Sequence, residues 1–137
     1  MNSLLEIENL VVDFQVPGGP VQAVNGISYS ISPGEIVAIV GESGSGKSVS
    51  ALAVLGLVPQ PPGRVSANHV IFQGRNLTEL SGEALRSVRG NEIAMIFQEP
   101  MTSLNPVLSI GRQLTEAMRL HLGLTAAQAN ERAIELL

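Results

Sequence analysis

A chain of 137 residues has the length of one ordinary domain, and 45% hydrophobic residues with a mean hydropathy of +0.27 can build a core and exclude a disordered segment. The absence of cysteine excludes a disulfide framework, a thiolate metal site and a cysteine nucleophile. A formal net charge of -4, from 8 basic and 12 acidic residues, and only 3% aromatic residues leave neither a basic stripe nor stacking platforms, so no nucleic-acid partner is expected.

In chain order, residues 4–14 mix alternation with β-branched residues and read as a strand. Pro17-Gly18-Gly19-Pro20 is a turn, and residues 21–31 are extended again. Asn25-Gly26 inside that stretch fits either a hairpin turn or a bend within one edge segment. Pro33-Gly34 turns the chain into Ile36-Val37-Ala38-Ile39-Val40, an apolar run without alternation, as expected of a strand buried on both faces. A glycine-rich loop follows, and residues 47–58 read as a helix apolar nearly all round and therefore buried, ended by Pro59, Pro61, Pro62 and Gly63.

Residues 65–72 form the next expected strand, closed by Gly74. A short helix is expected over 81–89 with Ser81 as N-cap, and residues 92–97 read as a second buried strand. Residues 98–106 are loop. Residues 109–122 are an amphipathic helix with Ile110, Leu114, Ala117, Met118 and Leu122 on one side, stopped by Gly123. Thr125-Ala126-Ala127-Gln128 is a capping box opening a last helix with Ala133, Ile134 and Leu137 as its apolar face. That helix runs to the final residue without a C-terminal stop, so the sequence reads as part of a longer chain. Nothing resembles a secretory leader, and the longest apolar stretch, residues 49–58, is too short to span a membrane.

The chemistry lies in Gly41-Glu42-Ser43-Gly44-Ser45-Gly46-Lys47-Ser48, which fits G-x-x-x-x-G-K-[ST] between an expected buried strand and a buried helix. Glycines let the backbone wrap a phosphate, and the helix start adds its positive end to the same anion. Lys47 is the one lysine in the sequence and reaches the β- and γ-phosphates as a point charge; Ser48 offers a hydroxyl to magnesium. The dinucleotide fingerprint G-x-G-x-x-G fails, because Val49 stands where its third glycine belongs. An ATPase of this type also needs an acid at the tip of a second buried strand. Asp13 is the one aspartate and lies early in the chain. The segment Ile93-Ala94-Met95-Ile96-Phe97-Gln98-Glu99 either puts Gln98 in that acidic place, with Glu99 beside it, or makes Gln98 a functional group of its own.

The loop 41–48, followed by Met95-Ile96-Phe97-Gln98-Glu99-Pro100-Met101-Thr102-Ser103-Leu104-Asn105-Pro106, resembles the ATP-binding subunits of ABC transporters. The second segment is similar to the oligopeptide, dipeptide, glutathione and nickel importers of that family. The resemblance implies an α/β, P-loop NTPase fold of the ABC-type ATPase domain, truncated, with an antiparallel β subdomain, a partial parallel core sheet and the start of a helical subdomain. Residues 1–98 would be its nucleotide-binding core and 99–137 the opening of the helical part. It also implies ATP and Mg2+ as cofactors, residues 41–48 as the Walker A loop, and Gln98 as the Q-loop glutamine that contacts magnesium. Phe14 falls where an aromatic stacks on adenine; tyrosine is more usual there, and the alternative is a strand-end core aromatic. The implied partners are transmembrane permease subunits and a second ATPase domain, at the cytoplasmic face of the membrane. The signature segment, the Walker B acid and the switch histidine are absent from residues 1–137, and neither His69 nor His121 stands in the latter's place. Leu80-Ser81-Gly82-Glu83 imitates the signature's opening but precedes Gln98, and reads as a helix cap.

Three functional readings follow: an importer ATPase subunit, a non-catalytic nucleotide-binding module, and a small P-loop kinase. The kinase needs a lid with arginines, whereas Arg86, Arg89, Arg112 and Arg119 are spread over two helices. In the sheet order the resemblance implies, strands 36–40 and 93–97 are not neighbours, so each is expected to lack a partner along one edge.

Overall fold

The computed structural model describes residues 3–99 and 103–137. It divides into two compact units, Met1–Leu85 and Arg86–Leu137.

The first unit is built on a long antiparallel pair, β1 (Leu5–Val16) and β2 (Gly19–Ile31), joined at Pro17-Gly18. β1 buries Ile7, Leu10 and Val12. The step of three between Ile7 and Leu10 breaks strict alternation because Asn9 takes a positive φ of 52° and bulges the strand. Gly26, also at positive φ, lies where an added Cβ would meet Asn9 Oδ1 at 3.0 Å. Asn25-Gly26 is therefore an irregularity within β2 opposite the β1 bulge, and β2 runs through it.

The other edge of β1 is shared. Its second half pairs with β3 (Gly63–Ser66) and its first half with β4 (His69–Phe72), both antiparallel. The single strand expected over 65–72 is thus two strands. The break at Ala67-Asn68 faces the Asn9 bulge, where Asn68 N donates to Glu8 O at 2.9 Å and its Nδ2 to Glu8 Oε1 at 3.2 Å. β4 turns through Gln73-Gly74, both at positive φ, into the short β5 (Arg75–Asn76), giving the order β2-β1-β4-β5 with β3 also on β1.

α1 (Lys47–Val54) is shorter than expected. Gly56, at φ 60°, donates to Ala53 O, and Leu57 N reaches back to Leu52 O, a left-handed closure that stops the helix while Leu55 and Val58 remain buried. α1 is also not buried all round: Ser50, Ala53 and Val54 are covered, whereas Val49, Ala51 and Leu52 are only half-buried. The first unit's core joins these residues to Val24, Val70, Phe72 and Leu77.

Two expected strands do not form. Residues 36–40 and 92–97 belong to no ladder among the described residues, and the second segment carries one isolated parallel bridge, between Arg89 and Ile93. Ile36 is 97% exposed, Val40 88% and Ile96 97%. The expectation of burial on both faces is therefore corrected: a strand is closed by its neighbours, and no described residue supplies them.

α2 (Gly82–Val88) starts with Ala84 N bonded to Ser81 Oγ, as the sequence suggests. In the second unit α3 (Ile110–His121) is capped by Ser109, and α4 (Ala126–Glu135) by a complete Thr125/Gln128 box. The residues they bury are small: Thr115, Ala129 and Ala133. Of the apolar face expected on α3, Leu114 and Met118 are half-buried, while Ile110, Ala117 and Leu122 are exposed. On α4 Ile134 and Leu137 are exposed as well. Pro100, Met101 and Thr102, part of the expected 98–106 loop, lie outside the described residues.

Candidate nucleotide-binding site

The loop between residue 40 and α1 is shaped by its glycines. Gly44 and Gly46 stand at φ 79° and 87°, where L side chains are strained. Ser45 N donates to Glu42 O at 3.2 Å, closing a tight turn over Ser43 and Gly44. Gly46 is the N-cap of α1, without a side-chain cap and with no acidic residue in the first turn. The positive end of the helix is thus left to whatever the loop encloses.

Lys47 bends back over the loop. Its Nζ donates to Gly41 O at 2.7 Å, Glu42 O at 2.6 Å and Ser45 Oγ at 3.3 Å. The ammonium therefore sits within the loop's curve. Ser50, 2% exposed, donates its hydroxyl to Lys47 O and its amide to Gly46 O, which fixes the first turn. Ser48 lies exposed beside it. The combination of a cationic donor, glycine-lined backbone and an uncapped helix start is an anion cradle.

The cradle is held against the sheet. A Cβ on Gly46 would collide with Ala23 O and meet Val24 Cγ2 at 3.3 Å, so β2 abuts the start of α1 directly. Phe14 lies on β1 opposite Val21 of β2 and Gly63 of β3. Val21 is two residues from Ala23, about 7 Å along the strand. Phe14 and residues 41–48 are thus parts of one unit, on neighbouring stretches of β1, β2 and α1.

Gln98 is exposed and belongs to the second unit, which is described apart from the loop. Among the described residues no group of three or more His, Asp or Glu side chains could hold a metal. Asp13 sits within β1, in register with Gln22 and Arg64, away from any strand tip. Magnesium fits the exposed Ser48 hydroxyl together with phosphate oxygens, since a hard cation that keeps its waters needs few protein ligands. Burial pushes the phenol of Tyr29 on β2 above its ordinary value, outside the cradle. Sequence reasoning missed the abutment of Ala23 on Gly46 and the pairing of Gly63 with Phe14. Neither carries a local signal, because both depend on strands distant in the chain.

Fold and loop together define a nucleotide-binding α/β unit, and comparison with known proteins narrows the class. The ABC transporter family model matches residues 24–137, and the chain belongs to that family. It is 47% identical over 134 residues to the oligopeptide transport ATP-binding protein OppD of Bacillus subtilis, covering 98% of this chain and 37% of that protein. It is 50% identical to a putative peptide import ATP-binding protein of Brucella abortus, covering 98% and 40%. It is 48% identical to the peptidoglycan transport ATP-binding protein YejF of Agrobacterium fabrum, covering 98% and 24%. The chain thus spans about two-fifths or less of the length of these relatives. A dimeric ATP-binding cassette solved in a post-hydrolysis state with ADP and Pi superposes with a TM-score of 0.76 at 20% identity, covering 96% of this chain and 54% of that one, so the fold is that of the ABC-type ATPase domain.

Proposed function

We propose that this chain supplies the nucleotide-binding part of an ATP-binding subunit in an ABC importer for peptides or related small solutes. The observation that carries the reading is the cradle at 41–48, with Lys47 inside the loop's curve and α1 uncapped behind it. Peptide-import relatives at 47% and 50% identity support the solute class.

In this reading Gly41, Glu42, Ser43, Gly44, Ser45 and Gly46 wrap the phosphates with backbone N–H groups, and Lys47 exchanges its carbonyl partners for phosphate oxygens. Ser48 and, by the family resemblance, Gln98 would hold Mg2+, which would supply charge neutralisation across the phosphates. Phe14 stacks on the base. Residues 1–98 form the nucleotide-binding core and 99–137 the start of a helical subdomain. A second ATPase domain and transmembrane permease subunits complete the assembly at the cytoplasmic face of the membrane. The dimeric form of the similar cassette supports the first of these partners. Among the described residues no helix is long and apolar enough to cross a membrane.

A second reading, a nucleotide-binding module without turnover, is favoured for residues 1–137 alone by the position of Asp13 within the sheet. Phosphoryl transfer depends on positioned charge, and Asp13 lies in register with Gln22 and Arg64 inside the sheet, where it does not serve as the acid at a strand tip.

Calorimetry with MgATP tests the main reading. Lys47→Ala should weaken binding about ten- to hundredfold, the value of hydrogen bonds to a charged group. Unchanged affinity contradicts the site. Phosphate release by residues 1–137 should be absent; release that disappears in Lys47→Ala contradicts the second reading.

A further inference from the structure

We propose that Gly63 is a positioning residue for the Phe14 ring, and through it sets how well the protein holds the base of a nucleotide. The inference rests on the nucleotide reading above. Gly63 pairs directly with Phe14 across β1 and β3, and it is buried. Its backbone is not at positive φ, so conformation does not call for glycine there. Space does. An added Cβ would meet Pro59 O at 2.7 Å, Val58 Cγ1 at 2.7 Å and Phe14 Cε1 at 3.2 Å.

The surroundings explain why the ring is the part that yields. Gly63 N donates to Pro59 O at 2.9 Å, and Gln15 N, the residue after Phe14, donates to Pro62 O at 3.0 Å. These bonds tie the 59–63 segment to the end of β1. Val58 is 4% exposed and fixed in the core. On the opposite flank Phe14 faces Val21, which is 54% exposed. The half-buried Phe14 ring lies against Gly63, and its strand pairs on the other edge with β2, the strand that meets the cradle at Ala23. A methyl group at 63 is pressed by Pro59 O and Val58 Cγ1 toward the ring edge, so the ring must give by a few tenths of an ångström.

The test separates base from phosphate. MgATP and magnesium tripolyphosphate are titrated calorimetrically into the unsubstituted protein, Gly63→Ala, Phe14→Ala and the double variant. Gly63→Ala should lower ATP affinity at least about threefold, within the span that loss of a stacked base allows, and leave tripolyphosphate affinity unchanged. In the Phe14→Ala background the same substitution should add nothing. An equal loss on both ligands, or the same loss without Phe14, overturns the proposal. Because Gly63→Ala also crowds the Pro59 carbonyl, the unsubstituted protein provides a second readout by NMR. The α-protons of Gly63, lying beside the ring, should shift with MgATP and stay fixed with tripolyphosphate; equal responses overturn the proposal too. If the unsubstituted protein binds ATP and tripolyphosphate with equal affinity, the base contact falls and the cradle stands. If it binds neither, the nucleotide reading itself falls.

Discussion

The inward residues of β1 and the segment 36–40 are both apolar, yet the first are core and the second is surface. Leu10 is 0% exposed, and Ile36, with a comparable side chain, is 97% exposed. The difference is one of partners. β1 has β2 on one edge and β3 and β4 on the other, so its amides and carbonyls are satisfied and its apolar face is covered. Residues 36–40 have no ladder among the described residues, and a run of five apolar side chains cannot close on itself. An apolar run states a demand for burial; the strands beside it decide whether the demand is met.

The largest expected contrast is in hydrogen exchange. Amides of Leu10 and Val12 should exchange about a thousandfold or more slowly than those of Ile36 and Val40, since core strands open only with the unit and unpaired segments open freely. Similar protection at both would break the comparison. Substitution sharpens it further. Leu10→Ala should cost about 2–5 kcal/mol by denaturant unfolding, the range for a buried leucine, whereas Ile36→Ala should stay within about 0.5 kcal/mol. A large loss from Ile36→Ala would mean that this segment is covered in solution.

Much of the first unit was legible because its signals are local. Asp13 and Phe14 fall in a strand, Pro17-Gly18 in a turn, and Gln73-Gly74 closes β4, all from residue type and spacing. What the sequence hid was non-local. The Asn9 bulge divides the partner edge into β3 and β4, and it turns Asn25-Gly26 from a hairpin signal into an irregularity of β2. In the sequence Gly56 reads as an interior residue of an apolar helix, although its left-handed conformation ends α1. The cradle was legible in full as a spacing of glycines, lysine and serine. The abutment of Gly46 on Ala23 and the pairing of Gly63 with Phe14 were not, because each joins residues more than twenty positions apart.

The helices of the second unit are the opposite case, since their starts are encoded within four residues. The smallest expected effect lies there. Thr125→Ala removes the half of the capping box in which the Thr125 hydroxyl accepts from Gln128 N, leaves the backbone N–H of residue 125 on Gln128 Oε1, and should cost about 1 kcal/mol, read as faster exchange in α4 with β1 unaffected. Equal loosening in the sheet would tie the two units more closely than their local signals suggest.

The central claim is that the loop at 41–48 is where nucleotide phosphates bind. Amide chemical-shift mapping during titration with MgATP addresses it most directly. The account predicts the largest shifts at Gly44, Gly46, Lys47 and Ser48, and in Lys47→Ala a move of the remaining responses to about ten- to hundredfold higher MgATP. Shifts centred elsewhere in the chain, or a response at these amides with an unchanged midpoint in Lys47→Ala, would contradict it.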